Sequence, residues 1–248
     1  MVTAQSEKEN SEKQIGTVAI IPAAGAGIRM DSDQVKQFIQ VDGKPLLAIT
    51  LNHFQHCRAV DAIILVVPSM YVDYCKEEIV GRFKIDKVKK VVPGGKVRQE
   101  SVRLGLEATD GDCGLVLIHD GVRPVIDTEF IEKLIAAARK NRAVITGLPA
   151  RETVKVINIR NEVVRTLKRE DVWLVQTPQV FRYEDIYEAH QRALHEGWEE
   201  ATDDSLLLEK TGIPVKMIEG SDNNIKVTTP YDLELVRFLL GREGGIGR

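Results

Sequence analysis

Thr17-Val-Ala-Ile-Ile21, running into Pro22-Ala-Ala-Gly25-Ala-Gly27-Ile-Arg29-Met30, is the stretch on which the fold turns. A continuous apolar run that stops at a proline and a glycine-containing turn has the pattern of a strand covered on both faces, as in a parallel sheet. The pattern recurs: Ala62 to Val67 stops at Pro68, Val88 to Val92 at Pro93-Gly-Gly95, Leu115 to Ile118 at His119-Asp120, and Ala143 to Leu148 at Pro149. Between these runs, Leu47, Leu51 and Phe54, and later Ile131, Leu134, Ile135 and Ala138, have the spacing of one buried helical stripe. Strand alternating with helix predicts an α/β, Rossmann-like fold: a mostly parallel twisted sheet with helices on both faces, and ligands beyond the carboxyl ends of the strands.

From about residue 150 to 171 the pattern shortens to Thr153-Val-Lys-Val-Ile157 and Val163-Val-Arg-Thr-Leu167, separated by a turn-prone stretch from Asn158 to Asn161. This reads as a protruding β-arm. Two strands alone are marginally stable, so the arm is expected to pack on another surface, that of a second subunit. Val172 to Leu240 returns to mixed strand and helix and is expected to close the same sheet. Residues 1–14 read as a flexible polar tail, and 15–248 as a single domain.

Composition narrows the class. With 43% hydrophobic and 29% charged residues, the chain sits near the globular average, which excludes disordered and fibrous classes. Lys and Arg number 34 against 37 Asp and Glu, a formal net charge of −3, and without a basic excess a large nucleic-acid footprint is not expected. No apolar run approaches the roughly 18 residues of a membrane helix. Met1 to Gly16 lacks the apolar core of a signal peptide. Cys57, Cys75 and Cys113 are too widely spaced to suggest a disulfide framework or a zinc site. A cytoplasmic protein without nucleic-acid or membrane partners is the expectation.

The strand-end loops carry the candidate chemistry. Gly25-Ala-Gly27 in its setting of small residues is either a phosphate-binding turn, whose amides approach an anion closely, or an ordinary strand-to-helix turn. A dinucleotide fingerprint would want glycine at Met30, and a Walker loop would want Gly-Lys-Ser/Thr; neither is present. Arg29 and Lys36 are cations placed to neutralise charge developing on a transferred phosphate, unless they are solvated surface charges. Asp120 is either a hard oxygen ligand for Mg²⁺ or a helix cap. Arg123 is either a bidentate phosphate clamp or the ion-pair partner of Asp120. His119 has no Ser or Cys partner by motif and reads as a packing residue. Pro93 to Ser101 either rims a base pocket, with Ser101 as polar reader, or is a glycine turn with a cap. Lys226 falls in what reads as a short strand before a new helix, where it needs a phosphate or a carboxylate partner.

Taken in order, Ala-Ala-Gly-x-Gly-x-Arg-Met at 23–30, Lys-Gln-Phe at 36–38, Gly-Gly…Arg-Gln-x-Ser at 94–101 and His-Asp-x-x-Arg-Pro at 119–124 resemble the 2-C-methyl-D-erythritol 4-phosphate cytidylyltransferases of the non-mevalonate isoprenoid pathway. Glu-Thr-Val-Lys at 152–155, Gln-Thr-Pro-Gln at 176–179, Thr-Asp-Asp at 202–204 and Asn-Ile-Lys-Val-Thr at 224–228 extend the likeness from about Val18 to Leu240. The resemblance implies a nucleotidyltransferase fold and transfer of a cytidylyl group from CTP to methylerythritol phosphate, with Mg²⁺ as cofactor and pyrophosphate as leaving group. It further implies that Arg29 and Lys36 stabilise the transition state and that Asp120 holds Mg²⁺. Ala23, Ala24, Gly25, Gly27, Gly94, Gly95 and Ser101 would bind CTP. Gly121, Arg123, Thr153, Arg169 and Lys226 would hold methylerythritol phosphate, Arg169 and Lys226 with catalytic roles. Thr153 and Arg169 would reach the partner's site across a homodimer formed through the arm.

The chain departs from the family where Val35 replaces a proline before Lys36, a change expected to loosen that loop. Gly121-Val122 also differs, and Asn223 stands where some members have an acid, which leaves a second metal ligand in doubt. A ribitol-5-phosphate cytidylyltransferase is the neighbouring alternative, and a non-catalytic nucleotide-binding module the alternative of another class.

Overall fold

The computed structural model describes residues 16–25, 35–111, 113–198 and 200–243. A seven-stranded sheet forms the centre. Its strands are β1 (Thr17–Pro22), β4 (Ala62–Val67), β5 (Val88–Pro93), β6 (Leu115–Ile118), β7 (Ala143–Pro149), β10 (Trp173–Arg182) and β11 (Val215–Glu219), in the order β11-β7-β10-β6-β1-β4-β5. All neighbours are parallel except β10, which runs antiparallel to both β6 and β7. The cause is the connection: the chain leaves β7 at its carboxyl end, makes the arm there, and re-enters the sheet from that same end.

Alternation along the strands explains why the runs are apolar throughout. Ala19, Ile21, Ile63, Leu65 and Leu117 point to one face, where they meet α1 (Leu46–His56), α4 (Thr128–Ala138) and a helical segment from 69 to 81 that includes α2 (Val72–Tyr74) and a π-helical turn, Cys75–Gly81. Val18, Ile20, Ile64, Val66, Val116 and Ile118 point to the other face. There they pack on α3 (Arg98–Glu107), α5 (Tyr183–His195) and α6 (Ser205–Lys210). β1, β4, β6 and β7 therefore bury both sets of side chains, as the two-sided pattern requires. The two edge strands expose charges, β5 Lys89 and Lys90 and β11 Lys216 and Glu219, which keeps their open sides from pairing with another chain.

A third apolar cluster joins Val41 and Leu46 of the small β2 (Gln40–Val41)/β3 (Lys44–Pro45) hairpin region to Val122, Val125, Val227 and, from α7 (Pro230–Glu243), Leu233 and Val236. It pins the loop carrying Lys226. That loop corrects one expectation: Asn223 to Thr229 contains no strand, and its Val227 amide donates at 2.9 Å to the carbonyl of Val122, itself in the loop after β6 rather than in the sheet. The helix after it does form. Thr229 and Asp232 make a reciprocal cap, the Thr229 amide donating to Asp232 Oδ2 (2.7 Å) and the Asp232 amide to Thr229 Oγ1 (3.2 Å), with Pro230 in the first helical position.

The arm is present as β8 (Lys155–Ile157) paired antiparallel with β9 (Val163–Thr166), a two-stranded sheet separate from the central one. It exposes Ile157, Ile159, Val163 and Val164, with Ile159 fully in solvent at 101%. Among the described residues no helix is long and apolar enough to cross a membrane.

Candidate active site

Two joined cavities lie beyond the carboxyl ends of β1, β5 and β6. The first, about 160 Å³, is lined by Ala23, Ala24 and Gly25 after β1, by Gly95, Val97 and Ser101 after β5, and by Lys36. The second, about 300 Å³, is lined by Arg123, Gln176, Thr177 and Asp203. Arg98, Asp120 and Lys226 line both.

Asp120, at the end of β6 and 5% exposed, is the hub. Its Oδ2 accepts from Lys226 Nζ at 3.0 Å and from Arg123 Nε at 3.3 Å, and its Oδ1 from Arg98 Nε at 3.3 Å. Burial alone would raise its pKa, but Arg98, Lys226 and Arg123 outweigh that and hold the carboxyl well below the usual carboxylate range. The helix-cap alternative is thereby excluded. Arg123 pairs with Asp120, as the ion-pair alternative expects, and its Nη1 donates to the Asn224 carbonyl at 2.8 Å; its side chain lines the second cavity.

His119 is fully buried and stays neutral, burial having lowered its pKa to about 3. Its Nε2 must carry the proton, because its partner at 3.1 Å is the Arg123 carbonyl, which can only accept. Its Nδ1 then accepts from Thr177 Oγ1 (3.2 Å), which in turn accepts the Asp120 amide (3.1 Å). His119 is a packing residue that fixes the Asp120 backbone. The register shift in β10 between Gln176 and Val180 places Thr177 there.

Lys36 sits in a single 3₁₀ turn (Lys36–Phe38) held from two sides. Gln37 Nε2 donates to the Ala23 carbonyl at 2.6 Å, and Phe38 packs on Tyr71 and Tyr74 with ring centroids 5.0 and 5.1 Å apart. Val35 does not loosen the turn: its φ of −67° is the value proline would fix, and its side chain packs on the core. Burial, then nearby Lys226, lowers the Lys36 pKa, against the opposing pull of Asp120.

The glycines behave differently from one another. Gly94 lies behind the rim, where a Cβ would fall 2.2 Å from Ala24 Cβ and 2.9 Å from Ser101 Oγ, so it lets the β1 and β5 loops touch. Ser101 Oγ accepts from the Gly95 amide and donates to the Val97 carbonyl, both at 3.1 Å, holding the rim in shape. Gly121 is buried beneath the cavities against Ala23 and Leu47 and lines neither, so its part is packing rather than direct contact with a ligand. Thr153 and Arg169 are exposed on the arm and line neither cavity; Arg169 Nη1 donates to the Arg151 carbonyl at 3.0 Å. Gly27 and Arg29 lie outside the described residues.

Sequence reasoning did not single out Arg98 and Asp204 as site residues. Arg98 Nη1 donates to Asp204 Oδ2 at 2.8 Å while its Nε holds Asp120. The signal available was the position of Arg98 at the start of the helix after the Gly94-Gly95 turn.

A mostly parallel sheet with this strand-end site is the α/β architecture of nucleotidyltransferases, and solved structures share it. The chain superposes on the 4-diphosphocytidyl-2C-methyl-D-erythritol synthase of Anaerococcus prevotii with a TM-score of 0.81 at 35% identity, over 92% of this chain and 99% of that one. It belongs to the family described as IspD, 2-C-methyl-D-erythritol 4-phosphate cytidylyltransferase, whose model matches residues 17–242. A relative of that name from Alkaliphilus oremlandii is 43% identical over 92% of this chain and 97% of its own length. A bifunctional IspD/IspF enzyme from Desulforudis audaxviator is 46% identical over 91% of this chain, which spans only 57% of that longer protein.

Proposed function

We propose that the protein transfers the cytidylyl group of CTP to 2-C-methyl-D-erythritol 4-phosphate and releases pyrophosphate. The observation that carries this reading is the joining of two cavities across one carboxylate: a small-residue rim suited to a nucleotide on one side, and Arg123 with Lys226, suited to a sugar phosphate, on the other. Family membership supplies the two substrates.

In this reaction a phosphate oxygen of the acceptor attacks the α-phosphorus of CTP in line, forming one P–O bond as the bond to pyrophosphate breaks. With a second pKa near 6 for a phosphate monoester, that oxygen is largely deprotonated at neutral pH, so no general base is needed. His119, buried, neutral and lining neither cavity, is consistent with this. The obstacle is repulsion between two anions, and the remedy is positioned positive charge. Lys36 and Lys226, with Arg29 on the glycine loop, supply it, and the backbone at Ala23 to Gly25 and Gly95 admits the triphosphate closely.

Asp120 fits a Mg²⁺ ligand. It is a hard oxygen donor at the junction of the cavities, and Mg²⁺ is commonly held by one or two carboxylates plus substrate phosphates. Of its present partners, Arg123 and Lys226 are phosphate-binding groups that can turn to the substrates, while Arg98 stays tied to Asp204. The ion, when bound, supplies charge neutralisation on the triphosphate. Thr153 and Arg169 belong to the acceptor site of the partner in an arm-mediated homodimer.

Pyrophosphate release by the purified protein with Mg²⁺, CTP and methylerythritol phosphate tests the reading, with ribitol phosphate as competing acceptor and ATP, GTP and UTP as competing donors. Release with ribitol phosphate in preference would keep the chemistry and change the acceptor; no release with any pair would leave a binding module.

Two variants probe the parts. Gly94→Ala forces a methyl into Ala24 and is expected to destabilise by about 1–3 kcal/mol, as overpacking does, while raising KM for CTP more than it lowers kcat. Urea unfolding with steady-state kinetics checks both. Lys36 must be charged to act, and its pKa is below the usual 10.5, so the alkaline fall of kcat/KM is expected below that value and should move upward in Lys36→Arg. The sign for stability is opposite: a lysine with a lowered folded pKa binds fewer protons folded than unfolded, so its burial cost fades as pH rises from the folded value towards 10.5.

A further inference from the structure

Asp204 takes no part in the reaction as derived above, yet it is 1% exposed, and a carboxylate at that depth is kept only where it is paired. It stands at the start of α6 without capping it. That duty falls to its neighbour: Asp203 Oδ1 accepts from the Leu206 amide (3.3 Å), and Asp203 Oδ2 accepts from Ser205 Oγ and from Gln179 Nε2 (both 2.7 Å). Asp204 is thereby left to face inward. Its Oδ2 accepts from Arg98 Nη1 at 2.8 Å, and its Oδ1 lies 3.5 Å from Nε2 of His190, a side chain of α5 with no exposure. Burial would raise the Asp204 pKa, but Arg98 and then His190 keep it low, so it remains an anion. A row of buried groups therefore runs from α5 through the start of α6 and the first residue of α3 to the end of β6: His190, Asp204, Arg98, Asp120.

We infer that Asp204, with His190 beside it, is a positioning residue: it holds the Arg98 guanidinium against Asp120 Oδ1 and so leaves Oδ2 to Lys226 and Arg123. An arginine with 75% of its side chain covered and anchored at one end presents its other nitrogens in a fixed direction, which a free surface arginine cannot do. The inference rests on the function proposed above, in which the orientation of Asp120 sets where the charges meet the two substrates.

The competing account is a plain structural tie between α3 and α6, and the experiment separates the two. In Asp204→Asn, kcat is expected to fall about 10- to 100-fold, the range typical of groups that orient a site from behind, with KM for CTP unchanged. Asp204→Asn added to Arg98→Lys should cost nothing beyond Arg98→Lys alone, because both act through one guanidinium. His190→Gln, whose amide can reach Asp204 Oδ1, should keep most of the turnover that His190→Ala loses, and this pair carries the test if Asp204→Asn does not fold. The slowly exchanging Nε–H signal of Arg98 in ¹⁵N spectra should be lost in Asp204→Asn whether or not substrate is added. An Asp204→Asn protein with full kcat, additive losses in the double variant, or an unchanged Arg98 signal would each overturn the inference. Failure of the unsubstituted protein to release pyrophosphate would instead overturn the proposed function, and the Arg98 signal would still decide the positioning.

Discussion

Asp120→Asn should lower kcat by about 10²- to 10³-fold, the loss typical when a preorganised electrostatic group is removed, and should leave KM for CTP unchanged or lower. The sign of the KM effect follows from the geometry: the carboxylate now competes with substrate phosphates for Arg123 and Lys226, and without it those cations are available. Folding suffers for the same reason. Removing one member of a buried ionic cluster strands the others, at the lower end of about 3–5 kcal/mol here because Lys226 keeps 38% of its side chain in water. Pyrophosphate binds the folded state of the variant at those stranded cations, so it should stabilise the variant more than it stabilises the unsubstituted protein. Acid should narrow the stability gap between the two. The pKa of Asp120 is depressed in the folded protein, so its stabilisation is present above the usual value of 3.8 and is lost as pH falls through the lower folded value. Asp120→Asn lacks that acid-labile part. Urea unfolding with and without pyrophosphate, repeated at pH 7 and in acid, checks every sign; a variant as stable as its parent and indifferent to pyrophosphate would refute the hub role of Asp120.

The strands that were legible in the amino-acid sequence are those buried on both faces. Thr17 to Ile21, Ala62 to Val67, Leu115 to Ile118 and Ala143 to Leu148 became β1, β4, β6 and β7 because such burial leaves no charged residue to break the run; Val88 to Val92 became the edge strand β5 despite Lys89 and Lys90, its valines facing the sheet's two covers. By the same logic β10 was poorly marked: Gln176-Thr-Pro-Gln179 interrupts it, and those polar residues are there for Asp120, Ser221 and Asp203 rather than for the core. Its antiparallel direction depends on where the arm returns the chain, which local pattern does not encode. Lys226 was legible as a site residue although not as a loop residue, since Val227 is fully buried by α7 and the Val122 loop and mimics a strand's alternation. The glycine loops and Asp120 could be read because strand ends in α/β sheets are where ligands sit. The Arg98–Asp204 pair could not, as its members are 106 positions apart and nothing in either segment refers to the other.

Two inactive variants of this protein are expected to restore each other. Thr153 and Arg169 lie on the exposed arm, outside the cavities of their own chain, while Ile157, Ile159, Val163 and Val164 offer the apolar surface that a second subunit would cover. In the proposed isologous dimer each arm would complete the partner's site, so each site would take Lys36 from one chain and Arg169 from the other. Lys36→Met and Arg169→Ala should each lower turnover about 10²-fold or more through lost charge and lost positioning, with Arg169→Ala losing little stability because its side chain is solvent-exposed. When the two are mixed and allowed to exchange subunits, half of the dimers are mixed, and each mixed dimer holds one site with both residues intact and one with neither. Turnover should therefore recover to about a quarter of the unsubstituted value per chain. Adding Val164→Lys to either partner should abolish the recovery by placing a charge in the dimer contact. Mass spectrometry of differentially labelled chains establishes that exchange has occurred; mixed dimers without recovered turnover would show that each site is complete within one chain, and equal losses of turnover and stability in Arg169→Ala would place that residue in the fold rather than in the reaction.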